Sequence, residues 1–446
     1  MVNPFGISLQ PFKTNILLCT CLLIGVGQSH AQMAEGYDAA LVKQWTNLNL
    51  DSKYHVGLSV YDIRKKKSIF DSRADNYFIP ASNTKILTMY AALYFLGEQL
   101  DAAWYAVRGD SVILWGGGDP GTMYPNIDSS CALIDYIHSS AKDIYFSNTH
   151  FQDTRYGKGW AWDDYPFTYQ CERNAFPIYG NRLWIRRQGD QATITPAYLS
   201  SLVTLKQDSI NKVNKSEWGD GYYYSYTVDR DSDEVEIPIT YFRNDLQYCW
   251  SEATGKSIRF VQDPLPPDAI PVKGSVRDSL IKIMMKESDN FIAEQLLLAC
   301  SQKAFRRMSD KEVIDSLLHG PLHDLKDNIQ WVDGSGLSRY NLLTPRSIID
   351  VLQRIIDEKG VAYLVNMLPA GGQPGMLQNW YKGKNGKPYV FAKTGTLGNT
   401  MCLSGVLVTA SGKILLFSWM HNQYRENSGA IRAAMDKLFS FLYEHY

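Results

Sequence analysis

Three short strings constrain this chain more than its composition does. Ser82-Asn83-Thr84-Lys85, Ser288-Asp289-Asn290 and Lys393-Thr394-Gly395 stand in that order, with about 200 residues between the first two. A Ser-x-x-Lys spacing alone is weak, since it recurs at Ser139/Lys142 and Ser279/Lys282. As an ordered set the strings supply a hydroxyl with an amine one helical turn away, a second hydroxyl with an amide, and a cation on a strand. Those are the parts of an acyl-transfer site.

Each string sits in an informative context. From Asn83 to Leu96 the chain is apolar nearly all round (Ile86, Leu87, Met89, Tyr90, Leu93, Tyr94, Phe95), as in a helix buried at a domain centre. With Ser82 in the first turn, Ser82 and Lys85 share one face. A serine hydroxyl needs a base, and Lys85 serves if desolvation and a second cation lower its proton affinity. The helix N-terminus adds a backbone N–H for an oxyanion. The plain alternative is an N-cap serine beside a solvated lysine. Ser288 and Asn290 interrupt an apolar helical pattern, which is costly without a partner. Ser288 is expected to pass a proton to a leaving amine, and Asn290 to orient Lys85 and bind a substrate amide; the alternative is a polar helix junction. Lys393 ends a strand, where it can hold a carboxylate and disfavour charge on Lys85. Thr394 and Thr396 add hydroxyl donors, and the Thr396 N–H is a candidate second oxyanion donor. Gly395 leaves space for another backbone. The alternative is an exposed strand end.

The layout predicts an α+β domain of antiparallel sheet and helices, split as 37–104 and 262–446, around a mostly β insertion at 105–261. A helix holding Leu41 and Trp45 comes first. Two strands follow, joined at the basic run Arg64–Lys67, which reads as a solvated turn. Beyond Asp263-Pro264-Leu265-Pro266-Pro267, residues 276–304 read as one long helix. Another helix follows Thr344-Pro345. Strands at 389–394, 402–408 and 414–419 with short connections, then a helix over 427–445, close the chain. Gly116–Pro120 is a turn cluster, not a phosphate loop, because no helix pattern and no Lys-Ser/Thr follow it.

With 446 residues and a formal net charge of -1, nothing suggests nucleic acid or an anionic membrane surface as a partner. Lys13, the apolar run Ile16–Val26 and Ser29-His30-Ala31 read as a signal peptide over 1–31 cleaved after Ala31, giving an exported, periplasmic protein without a stable span. Five cysteines remain after export. Cys300 and Cys402 read as buried thiols, whereas Cys131, Cys171 and Cys249 leave room for one disulfide that sequence cannot pair. No cysteine pair has zinc-site spacing, and Gly320-Pro321 keeps His319 and His323 from sharing a helix face. No metal or organic cofactor is required; the oligomeric state is open.

Phe78-Ile79-Pro80-Ala81-Ser82-Asn83-Thr84-Lys85 resembles the class C low-molecular-mass penicillin-binding proteins, the D-alanyl-D-alanine carboxypeptidase/endopeptidases of the S13 peptidase family. In-order matches continue at Gly159–Asp164, Ser288-Asp289-Asn290 with Ala293–Leu296, Asp333–Arg339, Leu368–Gly372 and Lys393–Thr396. The long interval before Ser288 sets the chain apart from class A β-lactamases. The resemblance implies a serine β-lactamase/transpeptidase-like domain with one or two insertions. It implies Ser82 as acyl-ester nucleophile, Lys85 as proton acceptor, Ser288 as third active-site residue and Lys393 as carboxylate ligand. It also implies peptidoglycan stem peptides as substrate and β-lactams as inhibitors. Asp163-Asp164 and Ser335-Gly336 match without a derivable role. The rival readings are a β-lactamase or esterase on the same scaffold, and a non-catalytic cell-wall-binding protein.

Overall fold

The computed structural model describes residues 37–446 except 51–53, 126, 128–130, 190, 220, 228, 230, 243, 384–385 and 426–427. The expected signal peptide and its cleavage site lie outside the described residues.

The three C-terminal strands are Val390–Leu397, Thr400–Val408 and Ile414–Asn422; the two early ones are His55–Asp62 and Lys67–Ser72. They form one antiparallel five-stranded sheet in the order 390, 400, 414, 55, 67. Their near-continuous apolar runs reflect burial of both faces, since alternate residues point to opposite sides. Met401, Leu403, Leu407, Phe417 and Trp419 join one core with the Ala39–Asn47 and Ser428–His445 helices. Cys402, Val406, Leu416 and Met420 join the other core, with the helices Lys85–Phe95, Asn290–Phe305 and Pro345–Lys359. Each fully buried large apolar side chain of this kind contributes about 1.5–3 kcal/mol. The Pro345–Lys359 helix starts on Thr344, whose hydroxyl accepts the Ser347 N–H while Ser347 caps in return, with proline in the first turn.

The expected long helix over 276–304 is instead two, Arg277–Lys286 and Asn290–Phe305. Apolar periodicity continues across the gap, so it cannot reveal the break. Ser288 takes a left-handed φ of 60°. Asp289 is extended and accepts the Ile292 N–H at 2.8 Å, capping the second helix. The polar junction places Ser288 between two helices and not along one.

A second five-stranded sheet, mixed in direction, runs Ile258–Phe260, Asp143–Ser147, Ser111–Gly116, Gln99–Arg108, Ile270–Val276. Gln99–Arg108 pairs with Ile270–Val276, so hydrogen bonding crosses both 104/105 and 261/262. Two three-stranded sheets occupy 182–238. The expected mostly β stretch 105–261 also holds the α-helices Ala132–Ser139 and Asp245–Thr254. The disulfide left open in the sequence does not form: Cys131 is exposed, Cys171 and Cys249 are buried, and all three are free thiols.

Candidate active site

The Ser82 string leads into its helix through a tight 3-10 turn, Ala81–Thr84, and the α-helix begins at Lys85. The sharper winding carries the half-buried Ser82 hydroxyl toward the lysine. Two glycines make room for the turn. A Cβ on Gly336 would stand 1.9 Å from the Ala81 carbonyl oxygen, and one on Gly395 would stand 2.6 Å from that of Pro80. The backbone expected beside Gly395 is therefore, in the free protein, the Ser82 turn itself. Asn83 ties the two together, its Nδ2 donating to the Lys393 carbonyl at 3.1 Å.

Lys85 is completely buried. Its Nζ donates to Ser82 Oγ at 3.0 Å, Asn290 Oδ1 at 2.5 Å and the Ser335 carbonyl at 2.7 Å. Three acceptors match the three N–H bonds of an ammonium. In the neutral amine, Asn290 and Ser335 still hold two N–H bonds, which leaves the lone pair for the Ser82 hydroxyl. Burial lowers this amine to about 8, against the pull of Asp333, Asp289 and Glu294. A lysine near that value is a competent base close to neutral pH.

Lys393 is also completely buried, and its Nζ donates to Ser288 Oγ at 2.8 Å and to the Thr394 carbonyl at 2.9 Å. Burial, and then repulsion from Lys85, push it well below the ordinary lysine range. Of the two expected causes, burial is the main one at Lys85, and the repulsion between the two lysines is felt at Lys393. In the strand ladder Lys393 pairs with Ser404, Gly395 with Cys402 and Thr396 with Met401. Thr394 is buried and Thr396 exposed.

Asn290 spends one Nδ2 hydrogen on the Tyr169 carbonyl at 2.9 Å, which orients the amide so that its oxygen faces Lys85. Tyr169 OH in turn donates to Asp164 at 2.8 Å. Beside Ser288 and Asn290 a cavity of about 610 Å3 opens, walled by Tyr124, Tyr169, Arg182 and Trp184.

Several contacts were not foreseen. Nothing in a serine-glycine pair announces that the Ser335 carbonyl would hold Lys85. Behind it, Glu294 Oε1 accepts the Ser335 N–H at 2.7 Å. Asp333 accepts the Gly336 and Ser338 N–H groups at 2.9 and 2.6 Å and Asn341 Nδ2 at 2.7 Å. The available signal was Asp333-Gly334-Ser335-Gly336, a carboxylate among small residues, as a tight loop pressed against other backbone requires. Among the described residues no group of three or more His, Cys, Asp or Glu could hold a metal ion.

An antiparallel sheet covered by helices on both faces, with the Ser-Lys turn packed under its edge strand, is the architecture of the serine β-lactamase/transpeptidase-like class. Residues 40–226 and 234–442 match the D-Ala-D-Ala carboxypeptidase 3 (S13) family, and the chain belongs to it. The D-alanyl-D-alanine carboxypeptidase DacB of Haemophilus influenzae is 22% identical over 419 residues, covering 83% of this chain and 86% of that protein. A D-alanyl-D-alanine carboxypeptidase of an Actinomadura species is 24% identical over 427 residues, covering 82% and 77%. The crystal structure of penicillin binding protein 4 (dacB) from Haemophilus influenzae shares the fold, with a TM-score of 0.69 at 19% identity over 91% of this chain and 99% of that one.

Proposed function

We propose that this chain is an exported serine D-Ala-D-Ala carboxypeptidase that acts on peptidoglycan stem peptides through an acyl-enzyme on Ser82. The observation that carries the reading is the buried Lys85 amine, held by Asn290 and Ser335 with its remaining valence on Ser82 Oγ. Ser82 Oγ attacks the carbonyl carbon of the penultimate D-Ala while its proton moves to Lys85. The C–N bond then breaks, and the departing amine takes a proton through Ser288, whose hydroxyl is kept in place by Lys393. Lys393, Thr394 and Thr396 bind the terminal carboxylate, and the strand edge past Gly395 receives the peptide. Water then attacks the ester carbonyl and releases Ser82. β-Lactams mimic the scissile amide and acylate the same hydroxyl.

The cavity beside Ser288 leaves room for a leaving group larger than one residue. It supports the endopeptidase version, in which the departing group is a cross-linking side-chain amine. Export rests on the targeting pattern of residues 1–31; among the described residues no helix is long and apolar enough to cross a membrane.

Intact-mass analysis after incubation with labelled penicillin tests the reading. One adduct on the wild type and none on Ser82→Ala is the expected result. No adduct on the wild type, or equal adducts on both, refutes it.

A further inference from the structure

Three carboxylates act on the Lys85 ammonium, namely Asp333, Asp289 and Glu294. Each is gripped by a side chain from the 105–261 stretch, far away in sequence. Trp160 Nε1 donates to Asp333 Oδ2 at 2.9 Å. Arg182 Nη2 and Tyr124 OH reach Asp289 Oδ2 at 2.9 and 2.6 Å. Arg173 Nη1 lies 3.1 Å from Glu294 Oε2. Arg173 is nearly inaccessible, stacks over the Trp160 ring with its carbon 5.6 Å from the centroid, and is anchored by Asp153 at 2.6 Å and Asp310 at 2.8 Å. Glu294 then continues to the base through one residue, from the Ser335 N–H to the Ser335 carbonyl on Lys85.

We infer that the 105–261 stretch, through Trp160, Arg173 and Arg182, holds the three carboxylates at Lys85 and thereby sets how readily that lysine gives up its proton. These are positioning residues, since none is placed on the substrate. The inference rests on the proposed role of Lys85 as base.

The physical argument is one of charge in a dry site. A carboxylate near a buried ammonium stabilises it, and the effect is strong where water is excluded. An unheld buried carboxylate takes up a proton and loses that effect. Burial and Asp333 already push the Glu294 carboxyl upward, with Arg173 opposing them. At Asp289 burial also pushes upward, but Arg182 and the hydrogen bonds from Tyr124 and the Ile292 N–H hold the carboxyl below its ordinary range. The remaining charged neighbours are Lys393 on the strand side of Lys85, Asp310 beside Glu294 and Glu236 beside Asp289. The grip of Arg182 and Tyr124 keeps Asp289 charged, while at Glu294 Arg173 opposes the upward push of burial and Asp333 without cancelling it.

The experiment reads the Lys85 13Cε resonance of ε-labelled protein against pH, assigned by its loss in Lys85→Met, together with the pH profile of Ser82 acylation by penicillin. Glu294→Gln and Asp289→Asn each remove a negative neighbour at nearly constant shape. Each should move the Lys85 midpoint and the acid limb of acylation to lower pH by roughly one unit. Arg173→Gln should shift both the same way, because Glu294 then holds its proton more tightly, and should add nothing to Glu294→Gln in the double variant. Arg182→Gln is the parallel variant on Asp289, should Arg173→Gln fail to fold. Unmoved midpoints in Glu294→Gln and Asp289→Asn overturn the inference, as does a shift in those two that neither arginine variant reproduces. If the resonance shifts as expected while penicillin leaves no adduct on the wild type, the proposed function fails and the charge coupling stands.

Discussion

Lys393 Nζ lies 2.8 Å from Ser288 Oγ, joining the interior of the Val390–Leu397 strand, not its end as expected, to a helix junction 105 residues earlier. The contact fixes a hydroxyl that the backbone already holds in a left-handed conformation. Ser288→Ala removes the proposed proton path to the leaving amine without disturbing a packed apolar side chain. D-Ala release from a monomeric muropeptide, followed by chromatography, should fall about 100-fold, while the loss of one Lys393 acceptor lowers stability by only about 1–3 kcal/mol. A loss under about threefold would remove Ser288 from the chemistry.

The proposed base is the Lys85 amine, so the rate of penicillin acylation should rise with pH, with a midpoint near 8, and level off above it. At pH 7 roughly one molecule in ten would carry the amine, against roughly one in three thousand for an unperturbed lysine. Stopped-flow acylation between pH 5 and 10 measures this (a range set by roughly neutral working conditions). A profile flat through that range would contradict the assignment of the base.

Gly395→Ala is expected to part the strand from the Ser82 turn, because the new methyl would meet the Pro80 carbonyl at 2.6 Å and the Asn83 amide at 2.8 Å. The first is backbone, and the second is a buried side-chain amide tied to the Lys393 carbonyl. A stability loss of about 1–3 kcal/mol in urea melts is expected, together with acylation slowed at least about tenfold. Unchanged acylation would show that the turn does not depend on that approach.

Trp419 is fully buried between the sheet and the terminal helices, with the Trp45 ring 5.0 Å away and Phe439 6.1 Å away. Trp419→Ala should lower stability by about 3–5 kcal/mol, read by denaturant melts. Its effect on the acylation rate of the remaining folded protein should be small, because Trp419 faces the core opposite the Ser82 helix.

A thiol reagent offers a check on the fold. In protein lacking residues 1–31, only Cys131 is exposed, and the four other thiols are buried and free. One thiol should therefore react quickly and four only after denaturation, with no further gain on reduction. Extra thiols appearing after reduction would reveal a disulfide.

Local pattern was enough for the elements that carry local information. The last three strands with their short connections, the all-apolar character behind Lys85 and the Thr344-Pro345 helix start were all readable along the chain, because burial and capping act over one or two turns. The break at Ser288 was readable only as the alternative of a polar helix junction, since the apolar positions on either side keep helical spacing. It depends on one left-handed residue and on Asp289, whose side chain answers to Arg182 and Tyr124 from another part of the molecule.

The sequence by itself determined which side chains could meet, namely two serines, two lysines and an amide on elements of identifiable type. It also determined membership of the S13 family, since the motifs and their long interval are linear properties. Only the tertiary structure decided that Ser82 would share Lys85 with Asn290 and the carbonyl of Ser335. The same holds for the three carboxylates tied to the 105–261 stretch that surround this lysine. The reason is that proton affinity in a buried site depends on solvent exclusion and on charges a few ångströms away. Those distances exist only after residues hundreds of positions apart have packed together.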